Sequence, residues 1–282
     1  VIRSVAYFPS YCALNSRPIM DAVLASLKSS GIHAQERGMS ADAVIVWSVL
    51  WNGRMAGNQA IYQHYRESGR PVIVIDVGAI ARGTTWKIAV NNINAEGYYG
   101  HQQDLDPDRP GQLGMQLRHN PNLRPAILVA AQHKKSLQLA NVPCQERWIA
   151  ERVREIRAVS DRPIVIRPHP RCPLDITLLP GGAEIEYPRQ IPGSYDSFNI
   201  DYGYHAVLNY NSGPGVQAAM AGARPIVDAS SLAHPVSVAI QDINQPYTVD
   251  RDRWLIEIAH TEYTIEEIAQ GLWLKRLAPA LE

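Results

Sequence analysis

The segment from His205 to His234, HAVLNYNSGPGVQAAMAGARPIVDASSLAH, constrains the fold more than any other part of the chain. Ala206–Leu208 are apolar and suit a buried strand. Asn209–Gly215 cannot continue that strand, because Asn, Ser, Gly and Pro all favour turns. Pro214 fits the first position of a helix, where a missing N–H costs nothing, with Ser212 or Gly213 as the cap. Gly222 suits the left-handed residue just past the helix end, and Pro225–Val227 return as a strand. The pattern places a helix N-terminus, flanked by glycines, at the carboxyl end of a strand. Its unpaired N–H groups and dipole favour a phosphate or a carboxylate. An ordinary tight turn would read the same way.

A second segment, Asp161–Arg171, reads DRPIVIRPHPR. Ile164–Ile166 form a short apolar strand, and the prolines on either side of His169 hold the following chain extended. Arg167, His169 and Arg171 are thereby expected at a stiff strand end. Arginine offers forked donors to phosphate oxygens, and histidine donates or accepts near neutral pH.

Together these segments resemble the donor half of GT-B glycosyltransferases, and in particular the capsule-type group that includes bacterial Kdo transferases. Those chains carry a strand ending in (R/K)PHP, here Arg167–Pro170. About 40 residues later come a Ser/Gly turn and a helix holding Gln or Glu, here Asn211–Gln217, and then a small-Gly-x-Pro strand, here Ala221–Pro225. An earlier E-x-G-x-x-R pattern is similar to Asp76, Gly78 and Arg82 in IDVGAIAR, with Asp in place of Glu and Ala79 where an aromatic is usual. The resemblance implies an α/β, GT-B-like chain: two Rossmann-like domains with parallel sheets and a cleft between them. It further implies a nucleotide-sugar donor, most simply a UDP-sugar, and no obligatory metal.

The order of elements fits such a chain. Strands are expected at Ile2–Phe8, Ala43–Trp47, Val72–Asp76, Ala126–Ala130, Ile164–Arg167, Ala206–Leu208 and Pro225–Val227. Amphipathic helices are expected at Pro18–Ser29 and Gln145–Arg157. This alternation means parallel sheets with helices on both faces. With 282 residues there is room for two domains. The Pro-, Gly- and Asp-rich stretch Gln102–Arg124 marks their boundary, giving an acceptor domain at 1–115 and a donor domain at 116–260. The segment 261–282 holds a helix over Thr264–Leu277 that starts with a Thr264/Glu267 capping box. In GT-B enzymes the final helix commonly packs back on the first domain, and this one is expected to do so.

Composition excludes several alternatives. Basic and acidic residues balance at 27 each, so a general basic surface for nucleic acid is absent, although a local patch remains compatible. No apolar run reaches the ~18–20 residues of a membrane span, the N-terminus reads as a strand and not a signal peptide, and a cytoplasmic enzyme is expected. The three cysteines are widely spaced and indicate neither a disulfide framework nor a zinc site. HExxH, GxSxG and Walker patterns do not occur.

The candidate site follows from these readings. Asp76 is the candidate base or nucleophile, and His169 shares the catalytic role by neutralising charge on the leaving phosphate. Donor-binding candidates are Arg167, His169, Arg171, Asn211, Ser212, Gly213, Gly215 and Gln217. Gln132, Lys134 and Ser136 join them because AAQHKKS follows the first strand of the second domain, at the sheet edge where α/β ligands bind. His205 is expected to be packed. The run TTWKIAVNNINAEGYYG reads as too polar for a core strand and as an acceptor-side loop, with Arg82, Trp86, Asn91 and Asn94 as acceptor-binding candidates and packing of Trp86, Tyr98 and Tyr99 as the rival reading. That loop, the DRPGQLG run and the ending YTIEEIAQGLWLKRL look similar to glycosyltransferases of tailed phages, some of which add sugar to hydroxymethylated pyrimidines in DNA. This implies double-stranded DNA carrying 5-hydroxymethylcytosine or a related base as partner, in the host cytoplasm. A capsule or surface glycan as acceptor, and a nucleotide- or sugar-binding module without catalysis, are the alternatives.

Overall fold

A computed structural model describes residues 2–80, 82–101, 104–119, 121–194 and 197–282. Gln102, Gln103 and Asn120 of the expected boundary stretch, and Ala81 of IDVGAIAR, lie outside the described residues. In chain order the strands are β1 (Ser4–Tyr7), β2 (His33–Glu36), β3 (Ala43–Trp47), β4 (Val72–Val77), β5 (Trp86–Val90), β6 (Arg124–Ala130), β7 (Ile164–Arg167), β8 (Glu184–Ile185), β9 (Arg189–Gln190), β10 (Phe198–Asn199), β11 (Tyr204–Leu208), β12 (Arg224–Ile226) and β13 (Glu262–Tyr263). The α-helices are α1 (Arg17–Ser29), α2 (Asn58–Glu67), α3 (Arg109–Gln112), α4 (Gln145–Arg157), α5 (Gly213–Ala221), α6 (Asp252–Ala259), α7 (Ile265–Ala269) and α8 (Leu272–Leu277). The chain forms two compact units, one of Val1–Met115 with Ile256–Glu282 and one of Gln116–Leu255, so that α6 spans the division.

The first unit is built on a sheet of order β13-β5-β4-β3-β1-β2. Strands β2, β1, β3 and β4 are parallel, whereas β5 is antiparallel to both β4 and β13. β3 is buried at every position, as expected for a strand covered on both faces. Trp86, Ile88 and Val90 of β5 join Ile73, Ile75, Trp47 and Val5 in one core, closed by Val23 and Leu27 of α1 and by Trp273. The Trp273 indole donates to Ser26 Oγ at 3.1 Å, which ties α8 to α1.

Two expectations are corrected in this unit. Trp86–Val90 is a fully buried strand and not an acceptor loop; alternate residues face the core, and the polar run begins only at Asn91. The C-terminal segment is two helices and not one, because Gly271 adopts a left-handed φ of 76° between them, although the Thr264/Glu267 capping box forms. Strand β2 and helix α2 had no counterpart in the sequence reading.

The second unit has a sheet of order β12-β11-β6-β7-β8, with every pair parallel. Its first strand in the chain, β6, lies between β7 and β11, so the strand order reverses at the β6/β11 junction. Such a reversal opens a crevice at the carboxyl ends of the strands, the usual ligand position of open α/β sheets. Helix α5 starts at the glycine turn with Ser212 as its N-cap, which makes Pro214 its second residue and not its first, and Gly222 ends it at φ 82°. His205 is packed, its Nε2 2.8 Å from the Ile243 carbonyl.

Candidate functional site

The crevice of the second unit is fixed by a buried amide network. Asn209 donates to the Ala130 carbonyl at 2.8 Å and accepts from the Ser212 N–H at 2.8 Å, which sets the turn at the end of β11. Gln132 and Asn211 pair across the β6/β11 junction: the Gln132 amide donates to Asn211 Oδ1 at 3.1 Å, and the Asn211 N–H donates to Gln132 Oε1 at 3.2 Å. Gln145 clamps the backbone of Gln132 at both its N–H and its C=O. Asn211 also donates to the Gln138 carbonyl and to Ser230 Oγ. Ser136 caps the short turn that holds Gln138. Buried polar groups that are all satisfied hold a single geometry, so the start of α5 is rigid. Gly215 is required there by space, since a Cβ would lie 2.8 Å from Val227 Cγ1.

Two loops of matching design lie on one side of this turn, at the ends of the next two strands of the sheet. After β6 comes His133-Lys134-Lys135, and after the neighbouring β7 comes His169-Pro170-Arg171. In each, histidine Nδ1 accepts the N–H two residues on, from Lys135 at 3.2 Å and from Arg171 at 3.1 Å. An Nδ1 that accepts leaves the proton of a neutral imidazole on Nε2, as a donor. The two rings meet edge to face at 5.3 Å. Burial lowers the pKa of His133, and Lys135, Lys134 and Arg171 lower it further. The ring contact puts the two loops side by side. Lys134 and Arg171 are exposed.

The structure thus brings together Gln132, Lys134, Ser136, His169, Arg171, Asn211, Ser212, Gly213 and Gly215. Gln217 lies in the next part of α5, partly exposed. His133, part of the AAQHKKS run weighed for a role at this edge but not chosen among the donor candidates, belongs with them; its spacing to Lys135 repeats that of His169 to Arg171. Arg167 does not join them, which corrects the expectation. Its guanidinium is buried, donates to Glu186 at 2.6 and 3.0 Å and to the Asp201 carbonyl at 2.8 Å, and reaches the Tyr204 hydroxyl at 3.2 Å. Its donors are committed to the fold. Burial alone would raise the pKa of Glu186, but the Tyr204 hydroxyl and the Arg167 guanidinium outweigh it and hold this carboxyl below the ordinary range.

In the first unit Asp76 is the penultimate residue of β4, partly exposed, and accepts from Ser48 Oγ at 3.0 Å and from the Val77 N–H at 2.8 Å. Ser48 follows β3 with a positive φ of 62°. Lys87 stands directly opposite Asp76 in the β4/β5 pair and directly opposite Glu262 in the β5/β13 pair. Cross-strand partners share a face, so Asp76, Lys87 and Glu262 form a row of alternating charge. Glu262 is a carboxylate that the sequence reading missed. Of the acceptor candidates, Arg82 is exposed, whereas Trp86, Asn91 and Asn94 serve the fold: Trp86 is in the core, Asn91 Oδ1 accepts the Val72 N–H, and Asn94 Oδ1 accepts the Glu96 N–H. Among the described residues no helix is long and apolar enough to cross a membrane.

No protein-family model matches the chain, and no curated protein matches it in sequence. Solved structures match its fold. The β-Kdo 2,4 transferase of Thermosulfurimonas dismutans KpsC aligns over 97% of this chain and 98% of its own, with a TM-score of 0.53 at 11% identity. The β-Kdo 2,7 transferase of the same protein aligns over 96% and 99%, with a TM-score of 0.51 at 13% identity. The fold is therefore an α/β fold of the GT-B glycosyltransferase type, with two Rossmann-like sheets.

Proposed function

We propose that the chain is a nucleotide-sugar-dependent glycosyltransferase. The observation that carries this reading is the pairing of two His-x-cation loops beside a glycine turn that opens a helix, at the strand-order reversal of a fully parallel sheet. The donor is a UDP-sugar. Its phosphates accept from Nε2–H of His133 and His169, from Lys134 and Arg171, and from the first-turn N–H groups of α5. These donors stabilise the negative charge that develops on the leaving phosphate, and they do so without reorganising. Asp76 takes the proton of the acceptor hydroxyl or stabilises positive charge on the sugar.

The acceptor is 5-hydroxymethylcytosine, or a related hydroxymethylpyrimidine, in double-stranded DNA. Support for this part is the likeness of Trp86–Asn94, Asp108–Gly114 and the C-terminal run to phage glycosyltransferases. Several of those residues build the first unit itself: Arg109 is buried and binds Glu267 bidentately, at 2.8 and 3.0 Å. The test offers a panel of nucleotide sugars with duplexes carrying cytosine or 5-hydroxymethylcytosine, followed by nucleoside mass spectrometry. A glycosylated hydroxymethylcytosine is expected. Transfer only to a capsule-type oligosaccharide in a parallel arm would replace the acceptor. Nucleotide binding without transfer to any acceptor would leave a binding module.

A further inference from the structure

We infer that Glu262, contributed by the C-terminal segment, is a positioning residue that holds the segment following Asp76 in its working geometry; this rests on the reading of Asp76 given above. Glu262 is 0% exposed. Its carboxylate accepts the Ala79 N–H at 2.6 Å, the Ile80 N–H at 3.3 Å and the Thr85 hydroxyl at 2.6 Å. These donors belong to the turn that leaves β4 after Val77, beginning two residues beyond Asp76, and to the residue that leads into β5. Gly78 lies so close that a Cβ there would collide with the Glu262 carboxylate and with Thr85. The glycine of the Asp76-x-Gly78 motif is therefore explained by a side chain more than 180 residues away.

Energetics argues against packing as the purpose of this acid. Burial raises its pKa, and Lys87, Thr85 and the two N–H groups pull it only part of the way back. Burying a carboxylate is unfavourable unless well-placed partners offset the lost hydration, and an apolar residue of similar volume stabilises a fold as well or better. The acid instead satisfies the donors of a turn that has no regular partner strand. The row Asp76, Lys87, Glu262 then places one cation between the two carboxylates. Asp76 depends on the same arrangement, because its own anchors, the Val77 N–H and Ser48 Oγ, lie at the start of that turn and on the neighbouring strand end.

The experiment compares Glu262→Ala, which removes all three bonds, with Glu262→Gln, which keeps the shape and an acceptor. The first readout needs no substrate. Amide NMR signals of Ala79 and Ile80 report the bonds to Glu262, those of Val77 report Asp76, and those of Leu50 report Ser48, whose hydroxyl the Leu50 N–H meets at 3.2 Å. In Glu262→Ala, Val77 and Leu50 are expected to shift with Ala79 and Ile80, and in Glu262→Gln to return toward the wild type. Movement of Ala79 and Ile80 alone would overturn the inference. If Glu262→Ala does not fold, Glu262→Asp, which draws the carboxylate back from the turn, is read in the same way. The second readout is turnover of UDP-glucose with a 5-hydroxymethylcytosine duplex. Glu262→Ala is expected to lower kcat about 100-fold, the scale of a 1 Å misplacement, with KM little changed and most of the rate restored in Glu262→Gln. Normal kcat in Glu262→Ala beside an inactive Asp76→Asn would sink this inference alone. Full activity in Asp76→Asn would sink the reading of Asp76, leaving the NMR comparison to decide the positioning.

Discussion

The carboxyl edges of the two sheets are built by opposite means. In the second unit the edge is made by residues close in sequence to the strand ends: His133 and its two lysines after β6, His169 and Arg171 after β7, and the Asn209–Gly215 turn after β11. It is cationic, and each loop closes on its own backbone. In the first unit the edge carries carboxylates and is completed from a distance, with Asp76 on β4, Lys87 on β5 and Glu262 on a strand that arrives from the far end of the chain. A site of local turns can vary its side chains with little effect on the fold, whereas a site closed by a distant strand ties its chemistry to the stability of the unit.

The contrast is broken most directly at Asp76. Asp76→Asn is expected to lower transfer about 1,000-fold, within the range of a lost acid–base group, while UDP binding measured by calorimetry stays unchanged because the loops proposed to bind the phosphates belong to the other unit. If Asp76 is only an anchor for Ser48 and Val77, the amide keeps those bonds and activity survives.

Arg167 and Arg171 test the same contrast within four residues of chain. Arg167→Met leaves Glu186 with the Tyr204 hydroxyl and a 3.5 Å approach from Arg124, so the loss is expected at about 2 kcal/mol, below the 3–5 kcal/mol of a fully buried pair broken on one side. Faster hydrogen exchange along β6 and β7 with unchanged UDP affinity is the expected signature. Weakened UDP binding with normal exchange would return Arg167 to the phosphate site.

Much of this was legible in the sequence, and the failures have physical causes. β3, β7 and α4 match their expected bounds because apolar runs of strand length, and a helical period, leave one solution. The glycine turn was legible because Ser212, Pro214 and Gly222 each fit one position of a helix start or stop. β5 was misread since only Trp86, Ile88 and Val90 are apolar on its core side and the asparagines follow at once. Arg167 was misplaced because its partner Glu186 lies 19 residues on, just after a strand of only two residues. Glu262 carried no local signal: it sits between Thr261 and Tyr263 with no motif, and only pairing with β5 gives it a role.

A smaller effect separates the exposed cations from the buried one. Arg171→Ala and Lys134→Ala are each expected to weaken UDP binding about tenfold, the value of one charge-assisted hydrogen bond, without changing the unfolding midpoint. The loss should shrink as salt rises, because both groups are exposed and screened. Loss of stability in place of affinity would make these loops structural elbows.

The smallest expected effect is a difference in pH dependence between the units. Glu186 is held below the ordinary carboxyl value of 4.5 by Tyr204 and Arg167, against the pull of burial. Its contribution to stability is therefore fully present above about 4.5 and is lost as pH falls through its folded value. Glu262 is raised above 4.5, chiefly by burial. The folded first unit thus binds that proton more tightly than the unfolded chain does, and this group makes the unit more stable as pH falls from above its folded value toward 4.5. The Gln variants isolate each term. With 5-fluorotryptophan labelling, Trp273 reports urea unfolding of the first unit and Trp148 that of the second. On acidification the wild type should lose ground to Glu186→Gln at Trp148, and should gain ground on Glu262→Gln at Trp273. Slopes of the same sign at both reporters would show that Glu262 is ionised more readily than an ordinary carboxylate, and that the charge row in the first unit more than cancels its burial.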